Sequence, residues 1–329
     1  MTAVPLELRY CSQNEFTSLR AEAGGRLLGA VAYGAVHPPG ADVTRVDVDV
    51  LGERRSPVIE AWLAAGSVQR AVDADVRLAW NDHVLYGALQ TTLDGDMSAA
   101  AERAYRSIFS VIRARGYSHL LRVWNYFPGI NADDAGLERY RRFSLGRHAA
   151  FSDGQAADAA VPSASALGVR DGPLTIYFIA ARTPGLAVEN PRQISAYHYP
   201  GRYGPKSPLF SRAMQSPAAL GPLLFVSGTA SIVGHETRHA GDVRAQCREL
   251  LDNIRTVVAR AAGGRDTARR WQLKVYVRHR SDLGAIDAAL RAAFPDTDPL
   301  YLRADICRAD LLVEVEAVCT PLPAETLRA

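Results

Sequence analysis

Two carboxylates lie two residues apart near the carboxy end, in Leu311-Leu312-Val313-Glu314-Val315-Glu316-Ala317-Val318. A period of two places Glu314 and Glu316 on one face of a strand and Val313 and Val315 on the other. On a solvated face they are ordinary surface charges. On a face that lines a pocket, desolvation raises the pKa of a carboxyl until it keeps its proton near neutral pH, which is what a general acid requires. Groups suited to an anionic small ligand occur elsewhere. The loop Tyr197-His198-Tyr199-Pro200-Gly201-Arg202-Tyr203-Gly204-Pro205-Lys206 carries tyrosines and cations on a path restricted by Pro and Gly. Tyr140-Arg141-Arg142-Phe143-Ser144-Leu145-Gly146-Arg147 is either a carboxylate clamp or the basic C-terminal end of a helix. Lys274-Val275-Tyr276-Val277-Arg278 reads as a strand ending in a cation, with Arg278 in a site or at the surface. Cys307 is either an inert buried thiol or one made reactive by neighbouring arginines. His235-Glu236-Thr237-Arg238-His239 matches H-E-x-x-H, but zinc chemistry needs both histidines on one face of a continuous helix. Gly234, Gly241 and an apolar run that starts only after Asp242 make it a polar loop.

These residues must be positioned by alternating strands and helices. Val84–Gly87 reads as a short strand, followed by a helix over Ser98–Arg115 with Tyr105, Ile108, Phe109 and Ile112 on one face. Gly116 stops it, Leu120–Tyr126 is a strand, and Ala132–Arg142 is expected to be a second helix. The order returns with a strand at Leu223–Ser227 broken by Gly228, and a helix from an Asp242 cap to about Ala262 with Gln246 in its first turns. A strand at Leu273–Val277, a helix from Asp282 to Phe294-Pro295 and a strand at Leu311–Val318 complete it. The repeat, about 140–150 positions apart, suggests internal duplication. The expected organisation is an N-terminal half over 1–150, a linker or surface excursion over 151–172 rich in Ala, Ser, Asp and Gly, and a C-terminal domain over 173–329 carrying most of the site. The expected class is α+β, with mixed β-sheets and helices packed on one face.

Composition narrows the function. The chain has 329 residues, enough for about two domains. With 38 Lys+Arg against 35 Asp+Glu, the charge is too even for a dedicated polyanion binder, so no nucleic-acid partner is expected. No apolar run approaches the ~20 residues of a membrane span, and Met1–Cys11 does not read as a secretory signal. Cys11, Cys247, Cys307 and Cys319 form no CxxC pair, which fits a reducing cytosol.

The segment from Leu223 to Val318 resembles the RidA (YjgF) family. The likeness rests on Ser227-Gly228, Asp242-Val243 with Gln246, Leu251-Asp252-Asn253-Ile254, Lys274–Arg278 and Val313–Ala317. The whole chain is similar to the chorismatases, which carry a RidA-like C-terminal half behind a related N-terminal half. That resemblance rests on Val123-Trp124-Asn125-Tyr126, Gly129-Ile130-Asn131, Gly136-Leu137-Glu138-Arg139-Tyr140 and Glu189-Asn190-Pro191. It continues in His198-Tyr199-Pro200, Tyr203-Gly204-Pro205, Gly241-Asp242-Val243, Lys274–Arg278 and Asp310–Glu314.

The resemblance implies two RidA/YjgF-like (chorismate-mutase-like) halves and a pyruvate-releasing enzyme acting on chorismate. It implies Glu314 as the acid that protonates the enolpyruvyl ether, and Arg147, Arg278, Tyr199 and Tyr203 as holders of the two carboxylates. Gly228 with Cys307 matches members that aromatise the ring to 3-hydroxybenzoate, with 4-hydroxybenzoate as a second product in a pigment-forming branch; hydrolytic members carry alanine at both positions. Such chemistry requires no metal, nucleotide or redox cofactor. The oligomer implied is a monomer or a homotrimer. Three other readings stay open: a chorismate hydrolase giving a dihydroxy-cyclohexadiene carboxylate, a RidA-like 2-imino acid deaminase, and a non-catalytic module that binds an aromatic carboxylate.

Overall fold

The computed structural model describes residues 6–34, 42–53, 58–93, 95–154, 161–264 and 269–322. Its elements form three successive units. The first contains β1 (Leu6–Ser12), α1 (Gln13–Glu22), β2 (Leu27–Tyr33), β3 (Val43–Val46), β4 (Asp49–Leu51) and β5 (Val58–Ala64). The second contains β6 (Gln69–Asp73), β7 (Val76–Trp80), β8 (Val84–Thr91), α2 (Met97–Ala114) and β9 (His119–Pro128). It continues with the small hairpin β10 (Asp133–Asp134) and β11 (Leu137–Glu138), then α3 (Arg139–Gly154), β12 (Ser163–Val169) and β13 (Leu174–Ala181). The third contains β14 (Leu186–Val188), β15 (Ala213–Gln215), β16 (Leu224–Thr229), the hairpin β17 (Ile232–Val233) and β18 (Glu236–Thr237), and α4 (Val243–Ala261). After these come β19 (Arg269–Val277), α5 (Leu283–Ala293), β20 (Leu300–Arg303), β21 (Asp305–Ile306) and β22 (Val313–Pro321).

The three sheets share one connection plan. Their orders are β1-β5-β2-β3, then β6-β7-β8-β13-β9-β12-β21, then β14-β15-β16-β22-β19-β20-β4. In each, the strand after the first helix (β2, β9, β19) pairs parallel with its successor and antiparallel with the last strand of the unit. Two edges are exchanged: β4 of the first unit pairs with β20, and β21 of the third pairs with β12. The α+β class holds, and the duplicated order appears as three units rather than two. The shorter first unit, with its ten-residue α1, is the one that sequence periodicity passes over.

The inner faces of the sheets meet around a common core that includes Tyr33, Trp62, Trp124, Tyr126, Tyr177 and Tyr276. Helices cover the outer faces: α2 through Tyr105, Ile108, Phe109 and Ile112, α3 through Phe143 and Phe151, α4 and α5 through Leu250, Ile254 and Ile286, and α1 through Phe16 and Leu19. Alternation in β22 therefore sends Val313, Val315 and Ala317 toward the helices and Glu314 and Glu316 inward. Both faces of this strand are buried, so its carboxylates are not a solvated stripe.

Three local expectations are corrected. Residues expected to form a helix over Ala132–Arg142 begin with the β10–β11 hairpin, because Ala135 and Gly136 take positive φ and turn the chain; the helix starts at Arg139. The linker expected over 151–172 is largely structural. Phe151 is buried on α3, and Ser163–Val169 is a strand paired parallel with β9, while 155–160 lie outside the described residues. Its small residues reflect crowding: a Cβ on Gly168 would press on Ile130 and Asp305. Gly228 does not end its strand but sits at a register shift inside β16.

On α3, a Cβ at Gly146 would overlap the Ser98 carbonyl of α2. Gly146→Ala is therefore expected to lower stability by about 1–3 kcal/mol despite alanine's better helix propensity, as read by denaturant unfolding.

Candidate active site

A cavity of about 280 Å³ opens between the second and third units. The second unit supplies Tyr140, Ser144 and Arg147 from α3 and Ser165 from β12. The third supplies Tyr199, Tyr203 and Arg212, then Gly228 of β16, the turn Cys307–Leu311, and Glu314 near the start of β22. Asp242 caps α4 by accepting from the Ala245 N–H at 3.0 Å, and this fixes Gln246 in the first turn. Gln246 donates to the Asp310 carbonyl at 2.8 Å and accepts from the Leu312 N–H at 2.8 Å, anchoring the segment that leads into Glu314.

Glu314 is buried, and among the described residues its carboxyl has no ion pair or hydrogen bond. Burial, then repulsion from Glu316, against attraction from Arg122, pushes its pKa from the ordinary 4.5 up to about 8. Gly228 makes room for it: a Cβ at that position would collide with Glu314 Oε1. Glu316 lies under contrasting conditions. It receives Arg122 Nη2 at 2.6 Å, Trp124 Nε1 at 2.7 Å, the Ser165 hydroxyl at 2.7 Å and the Tyr276 hydroxyl at 3.1 Å, with Lys274 Nζ at 2.9 Å. Burial opposes its ionisation, but Lys274 and Arg122 prevail and hold its pKa below the ordinary range. Two carboxyls on one strand face are thus driven to opposite protonation states.

Two arginines are poised for anions. Arg147 is buried, and its Nε and Nη2 have no hydrogen-bond acceptor; its guanidinium lies 5.0 Å from the ring centres of Tyr105 and of Phe151. Arg212 donates through Nη2 to the Ile194 carbonyl at 2.7 Å and to the Tyr199 hydroxyl at 2.8 Å, and its buried Nε has no partner. Arg308, 4.1 Å from the Tyr203 ring centre, donates to the His235 carbonyl at 2.9 Å. The half-buried Cys307 side chain lines the cavity. Burial first, then Glu314, against the cations Arg308 and Arg278, raises its pKa to about 12, so it is a neutral thiol. The arginines do not make it a thiolate.

Glu314, Cys307, Arg147, Tyr199, Tyr203 and Gly228 all line this cavity; Arg278 does not. Its guanidinium donates to the carbonyls of Leu311 at 2.7 Å, Ile306 at 3.0 Å and Arg308 at 2.9 Å, and to Asp305 at 2.7 Å. It braces the cavity's turn from behind instead of facing a ligand. Arg212 and Arg308 are site residues that sequence reasoning missed. Neither stands in a spaced motif, and only their adjacency to β15 and to Cys307 hinted at them. His235–His239 lies on and after the β17–β18 hairpin, not on a helix. Arg202 Nη2 contacts His235 Nδ1 at 2.8 Å and Glu236 at 3.0 Å, tying this hairpin to the Gly201–Tyr203 turn.

Among the described residues, the repeated architecture sets the position of Glu314 apart. Val58, Thr175 and Glu314 occupy corresponding positions, each opposite a tyrosine on the neighbouring strand: Tyr33, Tyr126 and Tyr276. Only the third is ionisable. In the second unit Gln90 lies opposite Thr175 and donates to its hydroxyl at 3.0 Å.

Four likenesses bear on this arrangement. Residues 60–180 match the family described as chorismatase FkbO/Hyg5-like, N-terminal. The chain is 37% identical over 313 residues to a 3-hydroxybenzoate synthase of Streptomyces hygroscopicus, covering 90% of this chain and 92% of the relative. It is 36% identical over 325 residues to a chorismatase of the same organism, covering 94% of each. A crystal structure of a chorismatase superposes with a TM-score of 0.87 at 34% identity, over 97% of this chain and 100% of that one. The fold and these likenesses define an enzyme acting on chorismate. The chain belongs to the chorismatase family. Among its described residues, no helix is long and apolar enough to cross a membrane.

Proposed function

We propose that this enzyme converts chorismate to 3-hydroxybenzoate and pyruvate, and also forms 4-hydroxybenzoate. The observation that carries the reading is a single buried carboxyl raised to about 8, in a cavity where Arg147 and Arg212 have buried N–H groups without acceptors. The likeness to a 3-hydroxybenzoate synthase supports the choice of product.

Chorismate is a dianion with a ring carboxylate and a second carboxylate on its enolpyruvyl ether. Arg147 takes one and Arg212 with Tyr199 the other, which desolvates the substrate against preformed donors. Glu314 delivers its proton to the ether methylene, and an oxocarbenium ion forms. The bond between ring carbon 3 and the ether oxygen then breaks, and that oxygen leaves as the keto oxygen of pyruvate. The 4-hydroxyl closes on carbon 3 and returns a proton to Glu314. The resulting arene oxide opens by breaking its bond to carbon 4, keeps the oxygen on carbon 3 and loses the hydrogen of carbon 3 as a proton, leaving 3-hydroxybenzoate. Atoms balance without water, so excluding water from the cavity is what separates this outcome from hydrolysis. Elimination that keeps the 4-oxygen in place gives 4-hydroxybenzoate.

Cys307, as a neutral thiol, fills the cavity wall and offers a weak donor to the migrating oxygen. Cys307→Ala is expected to divert flux toward the 4-isomer or the dihydroxy-cyclohexadiene carboxylate, with the product ratio read by chromatography; an unchanged ratio removes the thiol from the mechanism. Both walls of the cavity come from one chain. The test of the whole reading is incubation with chorismate alone and mass and retention analysis of the products. 3-Hydroxybenzoate with equimolar pyruvate supports it. The diol identifies a hydrolase instead. No turnover, with ammonia released from 2-imino acids, identifies a deaminase.

A further inference from the structure

Beneath the cavity floor lies a charge cluster that no step above uses. Lys274 Nζ contacts Glu60 at 2.5 Å and Glu316 at 2.9 Å, and Arg122 contacts Glu316 at 2.6 Å; all four side chains are buried. Glu60 also accepts from the Tyr33 hydroxyl at 2.8 Å and the Trp62 indole at 2.8 Å. The cluster sits where the inner faces of the three sheets converge, and it is made from β5, β9, β19 and β22. It holds two carboxylates and two cations and is already neutral. A third carboxylate, ionised at position 314 on the same strand face, would add a buried negative charge with no cation left to pair it.

We infer that Glu316 is a positioning residue for the reaction: anchored by Arg122, Lys274, Trp124 and Ser165, it is the fixed negative charge that keeps the proton on Glu314. The inference rests on Glu314 being the acid. The other groups around Glu314 fit it. Tyr276, opposite on β19, and Tyr140 on α3 are held neutral by burial. Cys307 is neutral as well. Arg141 pairs with Glu138 at 3.2 Å, and Asp310 accepts from Thr237 at 3.1 Å. Arg308 points to the His235 carbonyl, and Tyr199 and Tyr203 stack under it. Arg147 and Arg212 become matched when the dianionic substrate binds. Arg122 is the cation that would claim Glu314 if Glu316 were neutralised.

The test is Glu316→Gln, with kcat followed against pH using chorismate. The wild-type profile is expected to fall on its alkaline side near pH 8. In Glu316→Gln that limb is expected to move down by about one unit or more, a loss of roughly fivefold or more in activity near pH 8 that is regained at pH 6. A purely structural role would instead lower activity by the same factor at every pH, and that result overturns the inference. Should Glu316→Gln not fold, Glu60→Gln is read the same way; it neutralises the cluster from the side away from the cavity. A smaller downward shift there supports the inference, and an unmoved limb overturns it. A wild-type profile with no alkaline limb overturns the acid assignment itself, whereas a wild-type limb that stays put in the variants overturns only the role of Glu316.

Discussion

Glu314→Gln is expected to fold and to lose about 10³-fold or more in kcat for pyruvate release. The glutamine keeps shape and polarity but has no proton to give to the ether methylene. Its stability should betray the same chemistry. A carboxyl raised from 4.5 to about 8 by folding keeps its full contribution below the unfolded value and loses it as pH rises through the folded one. Wild-type stability attributable to this group therefore declines between about pH 4.5 and 8, by a few kcal/mol in the limit. The glutamine variant lacks that decline, so its Tm should exceed the wild-type value at pH 9. Near-wild-type turnover in the variant would refute the assignment of Glu314 as the acid.

Arg147→Met is the second substitution with a large expected effect, and its two readouts move in opposite directions. The Nε and Nη2 groups of Arg147 are buried without acceptors, and leaving charged donors unpaired costs more than an exposed side chain would. The contacts with Tyr105 and Phe151 offset part of that cost. Methionine removes the charge and keeps much of the volume, so the unliganded protein should gain about 1 kcal/mol in stability. The substrate carboxylate meanwhile loses a charged hydrogen-bond partner, and KM should rise about 30- to 100-fold. Denaturant unfolding and steady-state kinetics on one preparation check both. A destabilised variant with unchanged KM would mean that Arg147 is a packing residue.

Much of this site was legible in the sequence because it depends on local periodicity. The alternation of Glu314 and Glu316 placed them on one face, and the apolar spacing of α2 and α4 located the helices that back the site. What periodicity does not encode is which face of a strand another sheet covers. The acidic face of β22 is buried only because the two other sheets close over it, and those contacts join residues as distant as Arg122 and Glu316. Arg278 shows the same limit: a cation at a strand end is visible, but its direction is set by the 305–311 turn it braces. Arg212 enters the cavity from an irregular segment, where no repeat distance marks it. The first unit escaped notice because α1 is short and its strands share positions, not residue types, with those of the other two. Val58, Thr175 and Glu314 correspond only through their strand partners.

The central claim is that one sheltered carboxyl stays protonated at neutral pH. Infrared difference titration, wild type minus Glu314→Gln, reads that proton directly through the carbonyl stretch of the acid form. The expected trace shows the acid band intact at pH 7 and vanishing with a midpoint near 8. A band that disappears with a midpoint near 4.5 would contradict the account.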